Sequence, residues 1–308
     1  YGNVPLILKN LDENSEELFD KQTDRKVVMD QVLDDINKAI EYLPGEWAKD
    51  HPDRVTKWVA LALKSRICLY EGTFRKYHNL GDHDKFLTAA VDAANELMKA
   101  NKYQIYNTGN PKADYRKLFT SEDLRANPEC IMPRVYAMST LGHRLSGYIV
   151  SQAAGVTKDL VDDFLCIDPD GTAKPISLST VYKDDAIEDI FVSRDPRLAQ
   201  TVLNPLEAQE ILHSTSNYPN LEGMGGSWES ITGYHLIKNY DYTDDLRGQN
   251  SEINDFPIFR YAEVLLNYAE AKAELGTLTQ TDLNNSINKL RDRAGMPHLT
   301  LTPDMDPK

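Results

Sequence analysis

Apolar residues that step by three and four along a chain mark a helix with one buried face, and five segments carry that step. Over residues 23–43 the series is Met29, Val32, Leu33, Ile36, Ile40 and Leu43, stopped by Pro44-Gly45. Over 56–77 a face of Val59, Leu63, Ile67 and Tyr70 is accompanied by Ala60, Ala62 and Ser65, small enough to admit a close neighbour. Over 84–100 the apolar positions are Leu87, Ala90, Val91, Ala94, Leu97 and Met98. The fourth predicted helix, 256–275, takes Asp255 as N-cap, Pro257 in its first turn and Gly276 as C-cap, and buries Tyr261, Val264, Leu265, Tyr268 and Leu275. The fifth, 281–294, carries Leu283, Ile287 and Leu290 and stops at Gly295, with Pro297 beyond.

Four of these helices pair into two hairpins, 56–100 and 255–295, with short connections. The second has a tetratricopeptide look in Leu266, Tyr268, Ala269 and Leu275-Gly276. One hairpin cannot bury its apolar face alone, so stacked neighbours are expected. The first helix lacks a partner upstream, which predicts residues before Tyr1. Residues 101–254 differ in kind, being rich in Gly, Pro, Asn, Asp and aromatic residues with little periodicity. Short helices are expected there at 157–164 and 184–191, and short strands near 130–136 and 234–239. A long irregular stretch in a compact protein is functional or disordered, and the aromatic content argues against disorder. The expectation is therefore a single, mainly α domain over 1–308: a helical scaffold at 1–100, a loop-rich ligand-binding insert at 101–254 and a tetratricopeptide-like hairpin at 255–295.

Composition narrows the partners. With 34 Lys plus Arg against 48 Asp plus Glu, the chain of 308 residues has a formal charge of −14. That field repels nucleic acid and anionic lipid headgroups. No stretch approaches the ~20 apolar residues of a membrane helix; the longest candidate, from Trp58 to Leu63, runs into Lys64. Cys68, Cys130 and Cys166 are odd in number and far apart, which supports neither a zinc site nor a disulfide framework. Cys68 reads as a small core residue.

Several segments resemble one family. Tyr1-Gly2-Asn3-Val4-Pro5-Leu6 resembles a G-D-V-P-L stretch, and Arg54-Val55-Thr56-Lys57 with Ala60-Leu61-Ala62-Leu63-Lys64-Ser65-Arg66 resembles a characteristic helix opening, although Trp58 stands where a small residue is usual. Asn127-Pro128-Glu129-Cys130-Ile131, residues 157–164 with Asp168 and Asp170-Gly171, Arg194-Asp195-Pro196-Arg197-Leu198, Phe259-Arg260-Tyr261-Ala262-Glu263, and Leu290-Arg291-Asp292-Arg293-Ala294-Gly295 follow in order. By these motifs the chain resembles the SusD/RagB family over nearly its whole length. The resemblance implies a tetratricopeptide-like α-α superhelix and a non-enzymatic, surface-exposed outer-membrane lipoprotein. It further implies capture of a nutrient oligosaccharide, or in a minority of members a peptide, for a SusC-like TonB-dependent transporter. The family's lipid-acceptor cysteine and further binding residues lie upstream of the segments matched here, so the anchor is expected before Tyr1. A tetratricopeptide-like protein-interaction adaptor is the competing reading.

Sugar recognition needs an aromatic ring against the C–H face of a pyranose and polar side chains for its hydroxyls. The segment from Tyr218 to Trp228 offers both, with glycines that let backbone approach a ligand. Trp228, Tyr218 and Asn220 are the candidate ligand contacts; the competing role for the rings is to plug the loop into the core. Trp47, Trp58, Tyr234 and Tyr240 read as packing residues. The acidic run from Asp241 to Asp245, continuing to Asp255, offers oxygen ligands for Ca²⁺, but without D-x-D-x-D-G spacing it reads as a solvated acidic turn. His78 and His83 fit no metal spacing. Gly223-x-Gly225 lacks the third glycine of a dinucleotide loop, because Trp228 stands there. No hydrolase, zinc-protease or phosphate-loop motif is present. The expectation is a binding protein without catalytic residues, metal or cofactor.

Overall fold

The computed structural model describes residues 2–48, 54–213, 229–248 and 250–302, with the backbone of 220–221. Its helices are α1 Arg25–Tyr42, α2 Lys57–Tyr77, α3 His83–Ala100, α4 Asp114–Lys117, α5 Leu145–Ser151, α6 Lys158–Asp163, α7 Ala208–Leu212, α8 Tyr242–Asp245, α9 Tyr261–Glu274, α10 Gln280–Asn285 and α11 Ile287–Ala294. Its strands are short: β1 Cys130–Arg134, β2 Cys166–Ile167, β3 Ala173–Lys174, β4 Asn220–Leu221, β5 Glu229–Ser230 and β6 Phe256–Arg260. The protein is mainly α, as the periodicity predicts. It divides into two compact units: Tyr1–Ala100 with Asn267–Leu278, and Asn101–Leu266 with Thr279–Lys308.

Unit 1 is a helical stack. Asp24 caps α1 by accepting from the Lys26 N–H, and Leu33 and Ile36 turn inward. On α3, Phe86, Leu87, Ala90, Ala94 and Leu97 are fully buried, each large side chain contributing ~1.5–3 kcal/mol. Gly72 of α2 makes the close approach possible, because a Cβ there would lie 2.7 Å from the Leu87 side chain. The buried face of α2 follows the predicted one in part: Val59, Ala60, Ala62 and Ser65 are buried and Leu63 and Ile67 pack against the core. Leu61, Ser65, Cys68, Leu69 and Gly72 are inside, whereas Tyr70 is 62% exposed. The helix packs against both α1 and α3, so its buried sector is wider than, and rotated from, the single stripe that spacing alone gives. Burial pushes the Cys68 thiol up to about 11, consistent with a core residue. Glu71 and Arg75, one turn apart, form an interior ion pair at 2.7 Å to which Arg25 adds a second cation. Trp58 lies over Gly45, and Trp47 Nε1 donates to the Val55 carbonyl, so both indoles serve packing.

Unit 2 is organised around the antiparallel pair β1–β6. The structure corrects the predicted fourth helix here: residues 256–260 are strand, and α9 begins only at Tyr261. Pro257 fits an edge position as well as a first helical turn, and pairing with β1 decides. Asp255 is accordingly not an N-cap; its carboxylate accepts from the Leu124 and Tyr136 N–H groups. The predicted fifth helix breaks at Ser286 into α10 and α11, with a capping box between Thr279 and Asp282 at its start. The segment at 157–164 is helical as α6, with Thr157 as its cap. Residues 184–191 hold only a 3₁₀ turn at Asp189–Phe191, and 234–239 holds isolated bridges from His235 and Leu236 in place of a strand.

Candidate ligand-binding site

Of the three predicted contacts, Tyr218 and Trp228 lie outside the described residues, and Asn220 is described in backbone only. Its segment β4 pairs in parallel with β5, placing Asn220 opposite Glu229 and Leu221 opposite Ser230. Before the loop, α7 is fastened by Ala208 and Leu212 in a cluster with Ile149, Leu203, Ile237 and Tyr240, so Tyr240 is a packing residue. After it, Ser230 is fully buried. Both ends of the predicted loop are thus tied to the body of unit 2.

A concave pocket of about 440 Å³ opens elsewhere on the same unit, lined by Tyr115, Leu160, Asp163, Phe164, Leu165, Asp195 and Arg197. Its walls come from segments that sequence analysis singled out for resemblance. The buried Arg194 spreads its guanidinium over the carbonyls of Val161, Phe164 and Ile190, so a cation closes the C-terminus of α6, where unpaired carbonyls favour positive charge. The next residue, Asp195, donates its N–H to the Leu165 carbonyl at 2.8 Å and holds Arg197 through Nε and Nη2. The wall is therefore fixed by hydrogen bonds without regular structure. Leu160, Phe164 and Leu165 give an apolar surface and Arg197 a charged one. Tyr115 of α4 supplies the aromatic ring, packed edge-on to Phe119 at 5.3 Å with Lys238 4.8 Å above it. An apolar wall with a few fixed polar groups is the make-up of a small-molecule site.

A second concavity of about 500 Å³ includes Tyr106, Asn110, Asp114, Arg116, Gln200 and Glu210 among its lining. Much of its polarity is spent internally. Asp114 accepts from the Thr108 N–H and hydroxyl and the Asn110 N–H, while Gln200 accepts from the Arg116 N–H and donates to the carbonyls of Pro111 and Pro196. Next to α6, the loop after β2 is gathered by Asp168, which accepts from Ser179, Thr180 and Lys174. The Ser179 hydrogen bond is the main reason its carboxyl is held down at about 2, with Lys174 and Thr180 adding to it.

The acidic run expected to be a solvated turn is solvated only in part: Asp241 and Asp245 are half-buried, whereas Asp244, Glu252 and Asp255 are fully enclosed. His143, Asp244 and Glu252 bring one potential ligand atom each within 4.8 Å of one another. The donors are already committed. Asp244 accepts from Arg247 and from the Ile253 and Asn254 N–H groups, and Glu252 accepts from the Ser146 and Gly147 N–H groups at the start of α5. The two carboxylates also approach opposite ring nitrogens, Glu252 at 3.2 Å from Nδ1 and Asp244 at 3.9 Å from Nε2. The geometry is that of an internal brace, with the imidazole between two carboxylates. Burial opposes charge on His143, but hydrogen bonds to Glu252 and the Asn254 carbonyl outweigh it and raise its pKa.

Three of the quoted motifs meet at one carboxylate. Glu129 is fully buried and binds Arg260 through Oε1 and Arg293 through Oε2, at 2.5 and 2.9 Å. The sequence showed each motif but not their convergence, which is tertiary. The pocket was missed for a related reason: Tyr115 is 82 residues from Arg197, in a four-residue helix that no periodicity announces.

Residues 100–306 match the model of the SusD family. A curated relative, the SusD-like protein P38 of Formosa agariphila, is 24% identical over 95% of this chain and 53% of its own length. A SusD-like carbohydrate binding protein of Bacteroides fragilis has a solved structure that is similar with a TM-score of 0.73 at 22% identity, over 98% of this chain and 57% of that one. A second SusD-like protein of Bacteroides fragilis gives 0.70 at 24% identity, over 99% and 59%. The chain thus spans little more than half the length of these relatives.

Proposed function

This chain belongs to the SusD family, and on that premise we propose that it captures a nutrient oligosaccharide at the outer cell surface without cleaving it. Capture serves handover to a SusC-like TonB-dependent transporter, with membrane attachment through a lipid anchor upstream of Tyr1. No helix among the described residues is long and apolar enough to cross a membrane.

The observation that carries the reading is the pocket at Tyr115, Phe164 and Arg197. It sets a ring and apolar side chains beside a fixed guanidinium, the pairing that a sugar's two kinds of surface require. Trp228, Tyr218 and Asn220, from the segment 218–228, are proposed as additional contacts. A shallow site suffices, since millimolar affinity takes only about −4.1 kcal/mol. The single-domain organisation, with scaffold and binding insert, is proposed on the same basis: the helical stack is the rigid part and the irregular region bears the ligand.

Affinity electrophoresis and calorimetry of the protein against a panel of neutral and acidic glycans, with peptides as the alternative arm, test the reading. Binding of one or more glycans that weakens in Y115A and W228A supports it. Binding of peptides and of no glycan moves the protein to the family's peptide branch, and release of reducing sugar would contradict capture without cleavage.

A further inference from the structure

The second concavity shares its walls with the first. Tyr115 of α4 lines one and Arg116, the next residue, lines the other; Arg197 and Gln200 divide in the same way. The Arg116 N–H donates to the Gln200 side chain at 3.0 Å, so the two segments are tied and the wall between the concavities is fixed. Inside the second concavity Arg116 is half-buried. Its Nε and Nη2 are anchored on the carbonyls of Ile237 and Tyr240, at 3.2 and 2.6 Å, while Nη1 has no partner among the described residues. Asp241 follows Tyr240 and lines the same concavity. Its Oδ1 accepts from the Asp244 N–H at 2.9 Å as the cap of α8, while Oδ2 has no partner among the described residues.

Arg116 is therefore held one peptide away from Asp241, and each keeps an open atom, one a donor and the other an acceptor. Burial lowers the pKa of Arg116, and the Asp241 charge is first among those that oppose it. Charge in the rest of the lining is mixed: Lys112 and Lys117 are positive, Glu207, Glu210 and the internally bonded Asp114 negative. A ligand with a net charge of either sign meets like charges here. A hydroxyl meets none, and it both donates and accepts. Two adjacent hydroxyls can accept from Arg116 and donate to Asp241 together, each through a charge-assisted hydrogen bond.

We propose that this concavity is a second sugar site, taking an uncharged sugar residue by its hydroxyl groups, with Arg116 as donor and Asp241 as acceptor. The inference rests on the capture reading and adds to it a site separate from the one at Tyr115. The first site reads the face of the ring and the second its hydroxyls.

Calorimetry with cello-, malto-, laminari- and xylotriose tests it, with trigalacturonate and a chitosan trimer as charged controls, in the wild type, Y115A, D241N and the double variant. Asp241→Asn keeps the helix cap, because Asn caps as well as Asp, and turns the open acceptor into a donor. At least one uncharged trisaccharide is expected to bind Y115A with little dependence on salt, and to bind about tenfold more weakly once D241N is added. Equal melting temperatures of Y115A and the double variant exclude a loss of fold. Independently of D241N, the same trisaccharide with its hydroxyls O-methylated is expected not to bind Y115A. Unchanged affinity on adding D241N, binding of the methylated sugar, or loss of all uncharged binding in Y115A alone overturns the second site while capture stands. Residual binding in Y115A that is confined to a charged trimer overturns the uncharged class. Absence of binding of every glycan to the wild type overturns the capture reading itself, and the inference with it.

Discussion

Among the described residues, unit 1 buries four polar or charged side chains, Ser65, Glu71, Arg75 and Asn267; unit 2, less than twice as long, buries twenty. The apolar cluster of unit 1 runs through Leu33, Ile36, Leu69, Phe86 and Leu87 on three helices. Unit 2 has apolar clusters of its own, but it also buries carboxylates and guanidinium groups whose partners are backbone N–H and carbonyl groups, as at Asp168, Arg194, Asp244, Glu252 and Asp255. The difference follows from backbone chemistry. A helix satisfies its own amides and needs only an apolar face to be fixed in place. An irregular chain leaves amides open, and buried amides must be paired. Unit 2 pairs them with side chains, and in doing so fixes loops firmly enough to shape a pocket.

The contrast can be broken most severely at one residue in each unit. Phe86→Ala leaves a cavity in unit 1 and is expected to cost ~3–5 kcal/mol. Glu129→Ala strands two guanidinium groups in unit 2 and is expected to cost a similar ~3–5 kcal/mol. The two should differ in rescue, read by denaturant unfolding. Replacing Glu129, Arg260 and Arg293 together by apolar residues of similar size should restore most of the loss, because the stranded charges go with the carboxylate. No polar substitution should restore Phe86. The next effect belongs to Gly72→Ala, where the new methyl meets Leu87 at 2.7 Å; overpacking there should cost ~1–3 kcal/mol and lower the melting temperature.

What could be read from the sequence divides along the same line. The helices of unit 1 were legible because the 3.6-residue step is a local property, although it pointed Tyr70 inward when α2 in fact packs on two sides. In unit 2 the local signal misled where an apolar run continued from strand into helix, so residues 256–260 passed for a first helical turn until β1 claimed them. The acidic run at 241–255 looked solvated because nothing in its spacing shows that Asp244 serves the amides of Ile253 and Asn254, and Glu252 those at the start of α5. Of the candidate site, segments 157–164 and 194–198 were legible as motifs. Their joint use with Tyr115 depends on contacts that no short window contains.

A smaller effect with a pH signature is expected at the brace. The pKa of His143 is raised by folding and that of Glu252 is lowered. The histidine's contribution is complete below its ordinary 6.5 and is lost as pH rises through the raised value. The contribution of Glu252 is present above its ordinary 4.5 and is lost as pH falls through the lowered value. His143→Gln should therefore destabilise most between those limits and least in alkali, as thermal melts across pH will show. The smallest global effect is expected from Asp168→Asn, which loosens a surface loop. At neutral pH it should open tryptic cleavage at Lys183 with little change in melting temperature. The unmodified protein should loosen there only as acid takes the Asp168 carboxyl from its ordinary 3.8 towards about 2.

Hydrogen–deuterium exchange with and without a bound oligosaccharide tests most directly whether the polar-braced unit is the one that meets the nutrient. Protection is predicted over residues 113–119, 158–166, 194–198 and the loop between β4 and β5, with α2 and α3 unchanged. Protection confined to α2 and α3, with none in unit 2 under saturating ligand, would contradict the account.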